Sequence, residues 1–452
     1  MTPISKKSFG PDFFVSKLLS LLVATVLGAV AATAAFGADW RVTGIQIEGN
    51  HRTRESWVMQ YLDIHLPADY SDGNISGFRQ KLLTTGVFYS VRTDLVEVKG
   101  QPGTYDLVLT VDEKWTTIPV LRGAYGGGTP LKVVGLYDTH VFGSLWTFGI
   151  EGRQYGSSPP GVVVWGKAPR WITGKHLVGG EAWREFRERI IFDGRGEAIG
   201  SVRTNETMGK ANFLAPLTIF GPTTDWQGGF DFRIRRDEPS EFRADDGYLG
   251  PDPARVVLPV NHSDEAIFMG TLVHDNVRVD GLDMNGVRLT LTGGPVLTEG
   301  GNFAKEEAEL FAYQDLGNHW NIAVHGFAAE TSHDRFQDQY FLGGFDSVRG
   351  YPDGIAFGSK MAHGSFELRK VANRWRYLWL QDIVFVDGGT AVDNWGAWRN
   401  EARSSAGIGL RFAIPQIYRL VFRIDHAWAL DGSGAKGITA GFNQFFDPYK
   451  PL

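Results

Sequence analysis

The chain has 452 residues, a formal net charge of −6 and no cysteine. The near-neutral balance lacks the basic excess of a nucleic-acid binder, and the absence of thiols fits an oxidising compartment. Its 57 glycines, 30 phenylalanines and 14 tryptophans imply many turns and many aromatic positions, unlike an ordinary soluble enzyme.

Lys6, Lys7 and Lys17 precede an apolar run from Leu18 to about Ala35, and small residues follow to Ala38. That charged, apolar, small-residue order predicts a secretory signal peptide over residues 1–38. The competing reading is an uncleaved anchor, because the run is nearly long enough to span a bilayer. No later apolar run is long enough for a transmembrane helix, so a membrane role falls to strands.

Residues 39–118 read as a small α/β domain. Val42, Ile45 and Ile47 alternate with polar neighbours and stop at Gly49-Asn50, a strand ending in a turn. Trp57, Val58, Tyr61 and Leu62 fall at helical spacing, with Thr53 as candidate N-cap. A second helix is predicted from about Ser71 to Thr85, ended by Gly86. Strand patterns follow over Val91 to Val98 and Tyr105 to Val111, giving the order β-α-α-β-β. The stretches Ile45 to Asn50, Leu82 to Val91 and Val108 to Trp115 resemble those of the POTRA domain, a periplasmic module that receives polypeptides. That resemblance implies capture of an unfolded client by strand addition; a structural spacer of the same fold is the bland alternative.

From residue 119 to 452 the pattern has period two. Trp226, Gly228, Phe230, Phe232 and Ile234 fall on one face; Val287, Leu289 and Leu291, then Phe366 and Leu368, then Ala406, Ile408, Leu410 and Phe412, then Leu420, Phe422 and Ile424 repeat the motif. The alternation runs too long for one sandwich. Trp146, Trp165, Trp171, Trp183, Trp226, Trp320, Trp395 and Trp428 stand as candidates for aromatic girdles at membrane interfaces. The expectation is an antiparallel transmembrane β-barrel of about 16 strands. Trp183 to Ile191 fits either a strand reaching beyond the membrane or a short loop helix. Gly126 to Thr129 reads as a flexible approach to the first barrel strand. Ile438, Ala440 and Phe442 form another strand pattern ending at Phe445-Phe446, which resembles the aromatic signal read by outer-membrane assembly machinery, although Asp447 to Leu452 follow it.

One loop does not fit an ordinary solvated turn. Phe341 to Gly354 contains Phe341, Leu342, Phe345, Val348 and Tyr351 around a lone Arg349, with a Tyr351-Pro352-Asp353-Gly354 β-turn pattern at its end. A loop this apolar needs somewhere to fold into. An export signal, one POTRA-like domain, a barrel and Val348-Arg349-Gly350-Tyr351 together resemble the BamA/TamA-type superfamily of outer-membrane assembly and secretion barrels, with the bacterial surface antigen-type barrel. The resemblance spans nearly the whole mature chain. It implies that Val348, Arg349, Gly350 and Tyr351 form an inward-folded latch. Phe385-Val386-Asp387-Gly388-Gly389 matches the family's Phe-x-Asp-x-Gly strand and makes Asp387 the expected lumenal partner of Arg349, with Glu367 a second acidic position. Ser405 to Arg411 followed by Pro415 also fits.

Catalytic signals are missing: the 11 histidines show no metal spacing and no Gly-x-Ser-x-Gly elbow occurs. The expectation is no enzyme, no cofactor and no metal. Expected partners are an unfolded client polypeptide at the POTRA-like domain, outer-membrane lipid and accessory periplasmic proteins. The location implied is the bacterial outer membrane, with the N-terminal domain in the periplasm. Two function classes remain: a barrel that inserts or translocates clients, and a passive pore or structural barrel that kept the family's loop.

Overall fold

A computed structural model describes residues 39–124, 130–170, 176–192, 197–221, 224–239, 242–244, 262–333, 335–344, 347–442, 444 and 446. The expectations for the signal peptide, Gly126 to Thr129, Trp171, Phe345, Phe445 and residues 447–452 lie outside these residues.

The N-terminal domain runs β1 (Asp39–Glu48), α1 (Glu55–Leu62), β2 (Ala68–Ser71), α2 (Asp72–Thr84), β3 (Phe88–Glu97) and β4 (Thr104–Glu113). Its sheet has the order β2-β1-β4-β3, with β1 parallel to β4 and the other pairs antiparallel. Apolar residues of both helices, among them Trp57, Val58, Leu62, Phe78 and Leu82, close over Val42, Leu107 and Leu109 of the sheet. Ser71 caps α2 through a reciprocal bond with Asn74.

Two expectations for this domain are corrected. The order is β-α-β-α-β-β, because the four-residue β2 pairs with β1; Ala68-Asp69-Tyr70-Ser71 is too short to show alternation. Thr53 does not cap α1, whose N-cap is Arg54 without a side-chain bond. The Thr53 hydroxyl is instead taken by Glu113, which also accepts from the Thr53 amide at 2.7 Å, and lies 2.9 Å from His140 Nε2.

The barrel follows as β5 (Thr117–Ala124), β6 (Leu131–Val141), β7 (Trp146–Tyr155), β8 (Gly161–Arg170), β9 (His176–Phe192), β10 (Ala198–Pro216), β11 (Trp226–Pro239), β12 (Arg243–Ala244), β13 (Ser263–Asp275), β14 (Arg278–Asp280), β15 (Asp283–Thr298), β16 (Phe303–Gly317) and β17 (Trp320–Thr331). A loop holding β18 (Tyr340–Leu342) and β19 (Ala356–Gly358) leads to β20 (Lys360–Arg374), β21 (Trp379–Val392), β22 (Arg403–Ala413), β23 (Val421–Ala429) and β24 (Lys436–Phe442). Among the described residues, the barrel sheet runs from β5 through β17 and β20 to β24, and β24 returns to the side of β5. Setting aside the short β12 and β14, sixteen strands form its wall, the number the sequence pattern implied.

The distribution of polarity is that of a membrane barrel rather than a sandwich. Outward positions such as Leu136, Phe148, Ile150, Phe230, Phe268, Val384, Val386 and Ile408 are exposed and apolar, whereas Glu151, Glu185, Glu367, Arg369, Asp387, Arg411 and Asp425 are buried inside. Lipid receives the first set and a polar lumen the second. Trp183 to Ile191 lies on β9, which with β10 runs 17 and 19 residues, well past the roughly 9–11 needed to cross a bilayer. Trp146, Trp320 and Trp428 are exposed on the outside, as girdle residues should be. Trp165 and Trp183 are not: Trp165 is buried against Tyr137, and Trp183 donates to the buried Glu206. Both occupy inward positions, so aromatic content alone misassigned their face.

The N-terminal domain is seated on the turns at one end of the barrel. Arg52 donates to Thr116 Oγ1 at 2.7 Å and to Asp138 at 3.0 Å. The Arg54 amide bonds the Gly143 carbonyl at 3.2 Å, and Gln80 bonds the Val279 carbonyl at 3.2 Å. The connecting segment is stitched at Trp115, whose amide and carbonyl pair with Gln416 and Tyr418 at 3.0 Å each. Lys114 lies in this junction, and burial together with the nearby Arg419 charge lowers its pKa from 10.5 to about 8. The folded state therefore prefers the neutral amine, and the unfolded chain binds more protons between pH 8 and 10.5. Stability is expected to rise with pH across that window, by on the order of 1–3 kcal/mol. Thermal unfolding at the two ends of the window, compared with a Lys114→Met variant, checks it: the rise should vanish in the variant, and an identical rise in both would remove Lys114 as its source.

Candidate lumenal latch

The loop between β17 and β20 starts at the barrel end remote from the N-terminal domain and turns back into the lumen. Its small hairpin, β18 with β19, is closed by Gly344 N–H to the Tyr351 carbonyl (2.9 Å) and Gly354 N–H to the Leu342 carbonyl (3.0 Å). Ser347 Oγ accepts from the Gly343 amide at 2.7 Å and donates to the Gly343 carbonyl at 3.0 Å. The terminal turn is bonded from the Ile355 amide to the Pro352 carbonyl at 3.2 Å, so it spans Pro352 to Ile355, one residue later than the sequence pattern suggested. The apolar side chains find the enclosure they need: Leu342, Val348, Tyr351 and Ala356 pack with Met361 of β20 and Ala391 of β21.

Arg349 is fully buried at the centre of this loop. Its Nε and Nη2 grip Asp387 bidentately at 2.7 and 2.8 Å, and Nη1 donates to Glu367 at 2.7 Å. Its backbone amide also donates to Asp387, at 3.1 Å. The guanidinium lies 3.4 Å from the ring centre of Phe385. Phe385, Asp387, Glu367 and Asp425 share the lumenal side because they occupy alternate positions on β21, β20 and β23. Burial alone would lower the arginine's pKa; the Asp387 and Glu367 carboxylates outweigh it and hold the side chain charged. A planar fork matched to a carboxylate fixes direction as well as distance.

The structure brings all three expected charged residues together and surrounds them with others that motif reading missed. Glu367 also accepts from Arg369 at 2.7 Å and lies 3.6 Å from Arg411. Arg411 donates to Asp425 at 2.7 Å, and Asp425 lies 3.6 Å from Arg349. Tyr351 donates to the Ser404 carbonyl of β22 at 3.0 Å. Gly350 is required by its backbone: φ is +91°, and an added Cβ would sit 3.0 Å from the Ala427 methyl. Gly350→Ala is expected to cost about 1–3 kcal/mol and to loosen the loop, read as a lower thermal midpoint in detergent. An unchanged midpoint would show that the loop is not tightly seated at this point.

The loop's other side meets the opposite wall. Asp353 lies 3.6 Å from Arg189 of β9, and the Arg189 guanidinium stands 3.8 Å over Phe341. Phe336 packs with Ile191, Ile199 and Val202 of the β9–β10 hairpin. Arg335 and Asp338 join a second buried charge cluster, with Arg335 on Glu265 of β13 and Asp338 on Arg235 of β11 and Lys305 of β16. The loop thus bridges the lumen from β20–β23 to β9–β16. Nothing in the sequence around Arg335 announces this second anchor, since its partners are spread over three strands.

A family model described as the Omp85 superfamily domain matches residues 184–446, and one described as POTRA, surface antigen variable number repeat, matches residues 41–114. No curated protein matches the chain. Among solved structures, BamA from Haemophilus ducreyi lacking POTRA domains 1–3 aligns with a TM-score of 0.52 at 17% identity, covering 90% of this chain and 85% of that one. CdiB from Acinetobacter baumannii aligns with a TM-score of 0.58 at 14% identity, covering 89% and 73%. CdiB from Escherichia coli gives 0.51 at 11% identity, covering 97% and 100%. The BamA/TamA-type resemblance read from the motifs therefore holds at the level of the family. The chain belongs to the Omp85 superfamily, bacterial outer-membrane barrels with POTRA domains in the periplasm that serve protein insertion or secretion.

Proposed function

We propose that this protein inserts or translocates client polypeptides without catalysis, cofactor or metal. In this reading residues 1–38 direct export, residues 39–118 form the periplasmic receiving domain and residues 119–452 form the barrel. The POTRA domain captures an unfolded client by strand addition at its sheet edges, β2 or β3; main-chain hydrogen bonds supply affinity with little sequence preference. Val348, Arg349, Gly350 and Tyr351 latch the lumen, with Asp387 and Glu367 as the holding carboxylates. The observation that carries the latch is the full burial of Arg349 with both carboxylates at hydrogen-bonding distance. A charged loop side chain is desolvated this completely only where the surrounding fold supplies its partners. Outer-membrane lipid surrounds the barrel, and accessory periplasmic proteins are a further class of partner.

Reconstitution tests the reading. Proteoliposomes carrying the protein receive a urea-unfolded outer-membrane porin, and insertion is followed as protease-resistant, heat-modifiable product. Insertion above empty liposomes, lost on removal of residues 39–118, is expected. Insertion no faster than into empty liposomes would favour the second reading, a passive or structural barrel.

A further inference from the structure

The barrel wall does not account for Gln444 and Phe446. The ladder between β23 and β24 ends at Phe422 opposite Phe442. Past that pair, the side chains of Gln444 and Phe446 are both buried, against lumen-facing residues of the wall rather than in the β23–β24 ladder. Gln444 accepts from Arg411 Nε at 3.1 Å and donates to Gln381 of β21 at 3.0 Å. The Phe446 ring stacks on His325 of β17 at 5.2 Å, flanks Phe311 and Tyr313 of β16 at 6.4 Å each, and lies 4.8 Å from the Arg369 guanidinium. Ala323, fully buried on the inner face of β17, belongs to the same apolar cluster.

Arg411 and Arg369, the two arginines that hold this segment, are also the two that flank Glu367 in the latch. The segment and the inward loop therefore share a buried charge network, one reaching it through Gln444 and Phe446 and the other through Arg349. Buried side-chain networks of this kind polarise and position one another, so loss of one member is felt by the rest. The segment is also the direct continuation of β24, which stands beside β5 where the barrel closes. Among the described residues, β24 has seven residues, the fewest of the sixteen wall strands.

We infer that Gln444 and Phe446 act as a lumenal strut that couples the Arg349 latch to the seam strand: the loop's ion cluster and the buried Gln444 and Phe446 side chains stabilise each other. This rests on the reading of Arg349 as the latch. Release of the loop would then loosen the segment and the end of β24, and withdrawal of the segment would weaken the latch, by the same factor in each direction.

The chain has no native cysteine, so single thiol reporters are clean. Ala323→Cys places a strut reporter beneath Phe446, and Ala356→Cys places a latch reporter in the loop hairpin; both alanines are buried. The rate of labelling by a membrane-impermeant maleimide is measured for each reporter, in the full chain and in the same chain carrying Arg349→Ala or Phe446→Ala. Gln444→Ala serves where Phe446→Ala does not assemble. Arg349→Ala should speed labelling of the strut reporter about tenfold or more, and Phe446→Ala should do the same for the latch reporter, as a coupling of about 1.4 kcal/mol requires. Faster labelling of the latch reporter in Arg349→Ala with the strut reporter unchanged would leave the latch standing and overturn the strut. No response of the latch reporter to Arg349→Ala would remove the latch, and the strut with it.

Discussion

Arg349→Ala is expected to raise single-barrel conductance in planar bilayers, to lower thermal stability, and to impair client handling. Removing this guanidinium leaves Asp387 without its bidentate partner and Glu367 without one of its three nearby arginines. Truncating one member of a buried, hydrogen-bonded charge pair costs about 3–5 kcal/mol, most of it the penalty of the carboxylate left behind. Arg369 and Arg411 remain beside Glu367 and soften that cost on its side, so Asp387 carries most of it. The loop has a second hold, through Arg335 and Asp338 on β11, β13 and β16. Conductance should therefore rise to less than that of a barrel from which the whole loop is deleted. Arg349→Lys keeps the charge but not the fork and should fall between wild type and alanine. Unchanged conductance together with unchanged client levels would sink the latch.

Deletion of residues 39–118 is expected to abolish client handling while leaving a conducting barrel. The sheet edges that would receive an extended chain belong to this domain, and the deletion takes only Thr117 and Ile118 from the start of β5, leaving the rest of the sixteen-strand wall. The domain also bonds three barrel turns, at Gly143, Val279 and Gln416–Tyr418. Its removal exposes these turns and should lower the thermal midpoint of the barrel. A client-handling barrel loses its cargo in this variant; a passive pore conducts as before and loses none. Bilayer recordings and the abundance of surface proteins, measured in the same strain, separate the two.

Much of this was legible because strands impose a period of two. Phe366, Glu367 and Leu368, or Val386 and Asp387, already declare opposite faces, while the pairing of Arg349 with Asp387 and Glu367 was implied by the family resemblance of the motifs rather than by alternation. What alternation leaves out is height. Asp425 and Arg411 lie on lumenal positions of β23 and β22, but only the ladder registers bring them level with Arg349. Trp165 and Trp183 mark the limit from the other side: aromatic residues serve lipid interfaces and packed barrel interiors alike, and only the face of the strand distinguishes them. The short β2 carries too few residues for a pattern. Thr53 escapes a local rule because a distant carboxylate, Glu113, claims the hydroxyl that the rule assigns to a helix end. Arg335 and Phe446 sit in irregular segments, where tertiary contacts alone give a side chain its place.

The outer-membrane proteome of cells lacking the protein, compared with cells carrying wild type or Arg349→Ala, tests the central claim most directly. The account predicts that one or more outer-membrane or surface proteins disappear in the deletion, return with wild type, and fail to return fully with Arg349→Ala. A proteome unchanged by the deletion would contradict it and leave a barrel that handles no client.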